Sequence, residues 1–175
     1  VYMARRDGFS LPRRRGLYDP ANEHDACGVG LVVNIDGVKS HRIINQGVEV
    51  LQRLLHRGAV GGDPDTGDGA GMLIQIPDAF YRKEAGKLGF ELPDAGSFGV
   101  GMLFLPKTKK LRKRCEDMVA SAIAAEGFKL LGWREVPVNP DALGNLAQET
   151  MPAIHQVFVK HEGVADDALE RKLYV

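Results

Sequence analysis

The sequence predicts a layered sandwich of helices and β-sheet, and two features predict it. Short, continuously apolar runs such as Gly28–Ile35 (GVGLVVNI) and Phe98–Leu105 (FGVGMLFL) have the character of strands covered on both faces. Between such runs lie amphipathic segments, each with one apolar stripe that must be laid against another layer. At 175 residues the chain suits one domain with a real core.

Taken in order, residues 1–26 stand apart. They carry Arg5, Arg6, Arg13, Arg14 and Arg15, then the turn-forming run Asp19-Pro20-Ala21-Asn22, with little apolar periodicity. No continuous apolar stretch of the kind a secretory signal needs is present, and Asp19, Glu23 and Asp25 argue against an organellar transit peptide. A propeptide or a disordered arm remains. From Cys27 the pattern changes: a strand over 28–35 is closed by the turn Asp36-Gly37. A helix is predicted over 41–56, where Ile44, Val48, Leu51 and Leu55 form a stripe widened by Ile43 and Leu54. A Gly/Asp loop, 58–69, leads to a second strand, Gly71–Ile76, stopped by Pro77. Asp78 is expected to cap a short helix reaching about Leu88.

Phe98–Leu105 is the third strand, and a helix over 107–126 follows with Leu111, Cys115, Met118 and Ala122 on one face. Strands are predicted over Phe128–Val138 and Ile154–Lys160, and Asp166 begins a last helix. The final residues, Leu173-Tyr174-Val175, fall in a pattern that reads as continuing, so a truncated domain is expected.

Acidic and basic residues balance at 23 each, so no overall field favours nucleic acid or a membrane surface. The cluster Lys107, Lys109, Lys110, Arg112, Lys113 and Arg114 lacks interleaved aromatics and reads as a solvated helix face. No window is apolar enough to span a membrane. Two cysteines, Cys27 and Cys115, in very different settings read as free thiols in a reducing compartment, and a cytoplasmic location is expected.

Cys27 is the first residue that could carry chemistry. If it were the first residue of a processed chain, its own α-amine (pKa about 7.7–8.0) could accept the proton of its thiol (about 8.5). Gly28 and Gly30 would then let the backbone run close to a substrate. By residue type alone a small buried cysteine is the better reading. Arg57, in His56-Arg57-Gly58, is either an ordinary basic helix end or a fork of donors turned toward the Cys27 region. The loop from Gly61 to Gly71 fails as a calcium loop: counted from Asp63, its fifth and twelfth positions are Gly67 and Ile74. It also has no phosphate-loop lysine and no dinucleotide spacing. A tight structural loop is the better reading. The five histidines have no metal-ligand spacing, and Cys115 reads as inert core.

Three motifs occur in order: Cys27-Gly28-Val29-Gly30, His56-Arg57-Gly58-Ala59, and Thr66-Gly67-Asp68-Gly69-Ala70-Gly71. Together with Met151–Val159 and Glu170–Val175, this set resembles the class II glutamine amidotransferase domain of the glutamate synthase large subunit. The resemblance implies an α+β fold of the N-terminal nucleophile hydrolase type, an αββα sandwich of which only the N-terminal part is present. It implies a propeptide over 1–26 and the truncated amidotransferase domain over 27–175. Cys27 would be the nucleophile, Arg57 would orient the cysteine site, and Gly67, Asp68, Gly69 and Gly71 would form a structural loop. The groups gripping L-glutamine, with the oxyanion hole, would lie beyond Val175, so this chain alone would be nearly inactive. The whole enzyme would pass ammonia to downstream synthase domains holding FMN and an iron–sulfur cluster. Electrons would come from a small NAD(P)H-oxidising subunit or from ferredoxin. Neither cofactor is implied for this segment, and no metal. The alternatives are another class II amidotransferase or amidase using the same cysteine, or a half-domain acting only as a binding module.

Overall fold

A computed structural model describes residue 16, residues 28–53 and residues 69–173. The chain divides into two compact units, residues 1–57 and 58–175. In the first, the helix α1 (His41–Arg53) forms where the apolar stripe predicts it; Leu54 and Leu55 lie outside the described residues. Its half-buried face is Ile43, Ile44, Gly47, Val50 and Leu51, so Val48 is more exposed than the predicted stripe required.

The segment before α1 departs from expectation. Residues 28–35 are extended but enter no ladder, and Val29, Leu31, Val33 and Ile35 are exposed, whereas Val32 and Asn34 are half-buried. A strand is defined by its partner, and among the described residues none pairs with this one. The turn that closes it does form. The Gly37 amide donates to the Asn34 carbonyl at 3.1 Å with Gly37 at φ +68°. The Asn34 side chain accepts from the Asp36 amide and donates to the Val38 carbonyl, an Asx turn.

The second unit holds helices α2 (Asp78–Leu88), α3 (Lys109–Ala125), α4 (Asn145–Thr150) and α5 (Asp166–Leu173). Its strands are β1 (Gly99–Leu105), β2 (Phe128–Glu135) and β3 (Ala153–His161), with a 3-10 turn at Pro140–Ala142. The strands form one antiparallel sheet in the order β1-β3-β2. This mixture of helix and antiparallel sheet is an α+β arrangement. The predicted strand Gly71–Ile76 also lacks a ladder, and Leu73 is fully exposed.

On one sheet face, α2 and its following loop pack against Phe158, which is completely buried at 0 % exposure. The Tyr81 ring meets Phe158 edge-on at 5.1 Å, and Phe90 lies 5.4 Å away. Phe90 can sit so low because β2 carries Gly132 there. A Cβ at that position would stand 2.5 Å from the ring. A register irregularity between Leu130 and Gly132 leaves Leu131 packed on the same cluster.

The opposite face takes α3 through Glu116, whose Oε1 lies 3.0 Å from Nδ1 of buried His155. That approach is close but not aligned as a hydrogen bond, and neither ring nitrogen has one in the structure. The predicted α3 stripe is rotated from the observed one: Leu111 and Met118 are 50 % and 64 % exposed, while Cys115, Glu116, Val119 and Ile123 turn inward. The cause is Glu116, a charged residue that takes an inward position because His155 is there to meet it. Cys115 is a free, half-buried thiol. Asp78 is likewise not a cap. Pro77 holds the N-cap position, and the Asp78 carboxylate instead receives Arg82 one turn on. That hydrogen bond, chiefly, raises the Arg82 guanidinium above its ordinary value. Arg82 also donates to the Leu92 and Pro93 carbonyls, fixing the loop after α2.

A polar chain crosses from α2 to the sheet. Gln156 donates to the Tyr81 hydroxyl at 2.8 Å and accepts from Arg134 at 3.0 Å; Arg134 also meets Glu84 at 3.4 Å. The Lys87 ammonium, at 2.6 Å, and then Arg134 hold the Glu84 carboxyl below its ordinary value against the opposing effect of burial. A carboxyl lowered on folding stabilises above the ordinary carboxylate pKa, near about 4.3. That stabilisation fades as pH falls through the folded value. Glu84→Gln is therefore expected to flatten the acid limb of stability below about pH 5, read as urea midpoints across pH, with little effect of the pH change near neutrality.

Candidate functional site

The residue that best fits a nucleophile, Cys27, and its companion Arg57 lie outside the described residues, as do Gly67 and Asp68. What the structure does describe is the backbone directly after Cys27. Gly28 and Gly30 open the extended segment, and a Cβ placed on Gly30 would stand 2.4 Å from Val50 Cγ1 of α1. A side chain there has no room while Val50 keeps its place. Gly30 thus lets the backbone at that residue lie against α1, the helix whose chain leads on to Arg57. The sequence predicts a close approach at Gly30, and among the described residues the group that comes close is Val50 of α1.

In the second unit, Gly69 of the structural loop has φ +89°, a conformation that L side chains rarely adopt. Gly71 has no positive φ, and no described residue comes within 4 Å of a Cβ built at either position. The glycine requirement in this loop is therefore conformational at Gly69.

The sequence reading passed over the two buried polar arrangements on the sheet, Arg134-Gln156-Tyr81-Glu84 and His155-Glu116. The pair His155-Gln156 inside an apolar strand is the signal that could have found them, because a polar residue on a buried strand demands a partner. The first set is hydrogen-bonded within itself and fastens α2 to the sheet, while Glu116 of α3 stands 3.0 Å from His155. Among the described residues no helix is long and apolar enough to cross a membrane. The Lys113 end of the basic cluster is paired with Asp117, and that hydrogen bond raises the lysine above its ordinary value. Lys107 donates to the Gln148 carbonyl.

Comparison with known proteins adds what the geometry leaves open. The family model for glutamine amidotransferases of class II matches residues 27–175. A glutamate synthase [NADPH] large chain from Bacillus subtilis (strain 168) is 47 % identical over 167 residues, covering 94 % of this chain and 11 % of that protein. The protein of the same name from Azospirillum brasilense is 39 % identical over 160 residues, covering 90 % of this chain and 10 % of its own length. Ferredoxin-dependent glutamate synthase 1, chloroplastic/mitochondrial, from Arabidopsis thaliana is 40 % identical over 166 residues, 94 % of this chain and 10 % of the relative. The chain thus spans about one-tenth of the length of these relatives.

Proposed function

Since this chain belongs to the class II glutamine amidotransferases, we propose that it contributes the cysteine nucleophile of a glutaminase that feeds glutamate synthesis. The observation that carries this reading is the family match itself, which starts at Cys27 and runs through the ordered Arg57 and Gly67–Gly71 motifs. Residues 1–26 are a propeptide, and its removal frees the Cys27 α-amine.

That amine takes the thiol proton, and the sulfur attacks the side-chain carboxamide carbon of L-glutamine. A tetrahedral oxyanion collapses, the C–N bond breaks, and nitrogen leaves as ammonia with the returned proton. Water then cleaves the glutamyl thioester to glutamate and regenerates the thiol. Arg57 orients the cysteine region, and Gly67, Asp68, Gly69 and Gly71 form a structural loop. The oxyanion donors and the grip on glutamine belong to polypeptide outside these residues, and each such donor is worth roughly 2.7–4 kcal/mol.

In the whole protein the ammonia passes to synthase domains that aminate 2-oxoglutarate with FMN and an iron–sulfur cluster. This chain's residues do not fit such a cluster. It has two cysteines, one of them the nucleophile, where a cluster typically takes four thiolates. The electron donor, NAD(P)H through a small subunit or ferredoxin, and a cytoplasmic or organellar setting are properties of the whole protein.

The test is covalent capture. With residues 1–26 removed, a glutamine-like diazoketone is expected to label Cys27 and spare Cys115, read by peptide mass. Equal labelling of both thiols would sink the assignment.

A further inference from the structure

The extended chain that follows Cys27 comes closest to α1 at Gly30. A Cβ built there would stand 2.4 Å from Val50 Cγ1, but 3.6 Å from Val50 Cβ and Cγ2. The obstruction is therefore a single methyl group. Relief requires a movement of about 1 Å, since ordinary contact begins at 3.4 Å. Val50 is poorly placed to give way. It lies within α1, half-buried, and a β-branched side chain in a helix strongly prefers one χ1 rotamer. The displacement falls instead on the extended segment. Cys27 is three residues from Gly30, and three residues of chain reach at most about 11 Å, so a shift at residue 30 has little length over which to decay.

We propose that Gly30 and Val50 are positioning residues for the glutaminase step: the Val50 methyl is the stop against which the chain after Cys27 rests, and it sets where the nucleophilic sulfur stands. The inference rests on the reading of Cys27 as that nucleophile. Both residues act through Cys27 rather than on the substrate. The helix that carries the stop continues within seven residues to Arg57, the residue proposed to orient the cysteine. Glycine is needed at position 30 because any side chain would lift the segment off its stop. A reacting group misplaced by about 1 Å loses on the order of 10²-fold in rate.

In the full-length protein, Gly30→Ala is expected to lower the glutamine-dependent kcat by on the order of 10²-fold, with KM for glutamine and ammonia-dependent turnover unchanged. Val50→Ala removes the stop without adding bulk and should slow the step less. In the double variant the added methyl meets only the Cβ of position 50, at 3.6 Å, so kcat should exceed that of either single variant. The glutamine-like diazoketone should still label Cys27 to completion in Gly30→Ala, only more slowly, whereas a folding defect would lower the amount labelled. If Gly30→Ala does not fold, the comparison of Val50→Ala with the double variant decides. A kcat for Gly30→Ala within a few-fold of the parent, a loss that appears as fewer labelled sites, or a double variant no faster than the single ones would each overturn the proposal. Cys27→Ala separates this result from the reading beneath it. If that variant keeps glutamine turnover, the nucleophile assignment fails; if it loses turnover while Gly30→Ala keeps it, only the positioning fails.

Discussion

Phe158→Ala is expected to lower the stability of the 58–175 unit by about 3–5 kcal/mol, measured as the shift in urea unfolding with the slope unchanged. The side chain is wholly buried, and Tyr81 and Phe90 both close on it. The cavity left behind could not collapse easily. Phe158 is mid-strand, and its backbone is held on both sides by pairing with Val100 and Gly132. Loss of a few kcal/mol is a large part of the margin of any domain of this size, so partial unfolding at room temperature is an acceptable form of the same result. By contrast Phe80, 46 % exposed on α2, should tolerate alanine at much smaller cost.

In the full-length protein, Cys27→Ala is expected to reduce glutamine-dependent glutamate formation by a factor on the order of 10⁶, the scale on which removal of a covalent nucleophile acts. Supplying ammonia directly should bypass the defect, since in the proposed function only the step that generates ammonia uses this sulfur. Retention of glutamine-dependent turnover within tenfold of the parent would show that another group does the work. Loss of the ammonia-dependent reaction as well would point to a structural role for Cys27.

The regular elements of the second unit were largely readable from residues. Where an apolar run is bounded by glycine or proline and followed by a periodic helix, as at Phe98–Ala125, strand and helix form within a few residues of the predicted limits. The segments 28–35 and 71–76 carry the same local signal but enter no ladder among the described residues, because local composition specifies the tendency and not the partner. The α3 face was misjudged for a different reason. Periodicity counts apolar residues, and the inward surface includes Glu116, whose place is set by His155 some forty residues away in sequence. The short α4 and the Pro140 turn have no apolar period to announce them. The candidate site was legible only as an ordered set of motifs. Cys27 by residue type is indistinguishable from an inert thiol, and what sets it apart is its order with Arg57 and the Gly67–Gly71 loop.

The polar chain through Gln156 has a consequence for how the sheet finds its alignment. β3 is apolar on both faces over Val157–Val159, so hydrophobic burial there barely distinguishes the native alignment from one displaced by a residue. The side chains of His155 and Gln156 do distinguish it. A one-residue slip would turn Gln156 toward α3 and offer Tyr81 and Arg134 an imidazole or an apolar side chain, stranding buried donors at about 1–3 kcal/mol each. The two adjacent polar residues, answered on opposite faces by different helices, act as a parity check on the central strand: only the even alignment is readable by both partners at once.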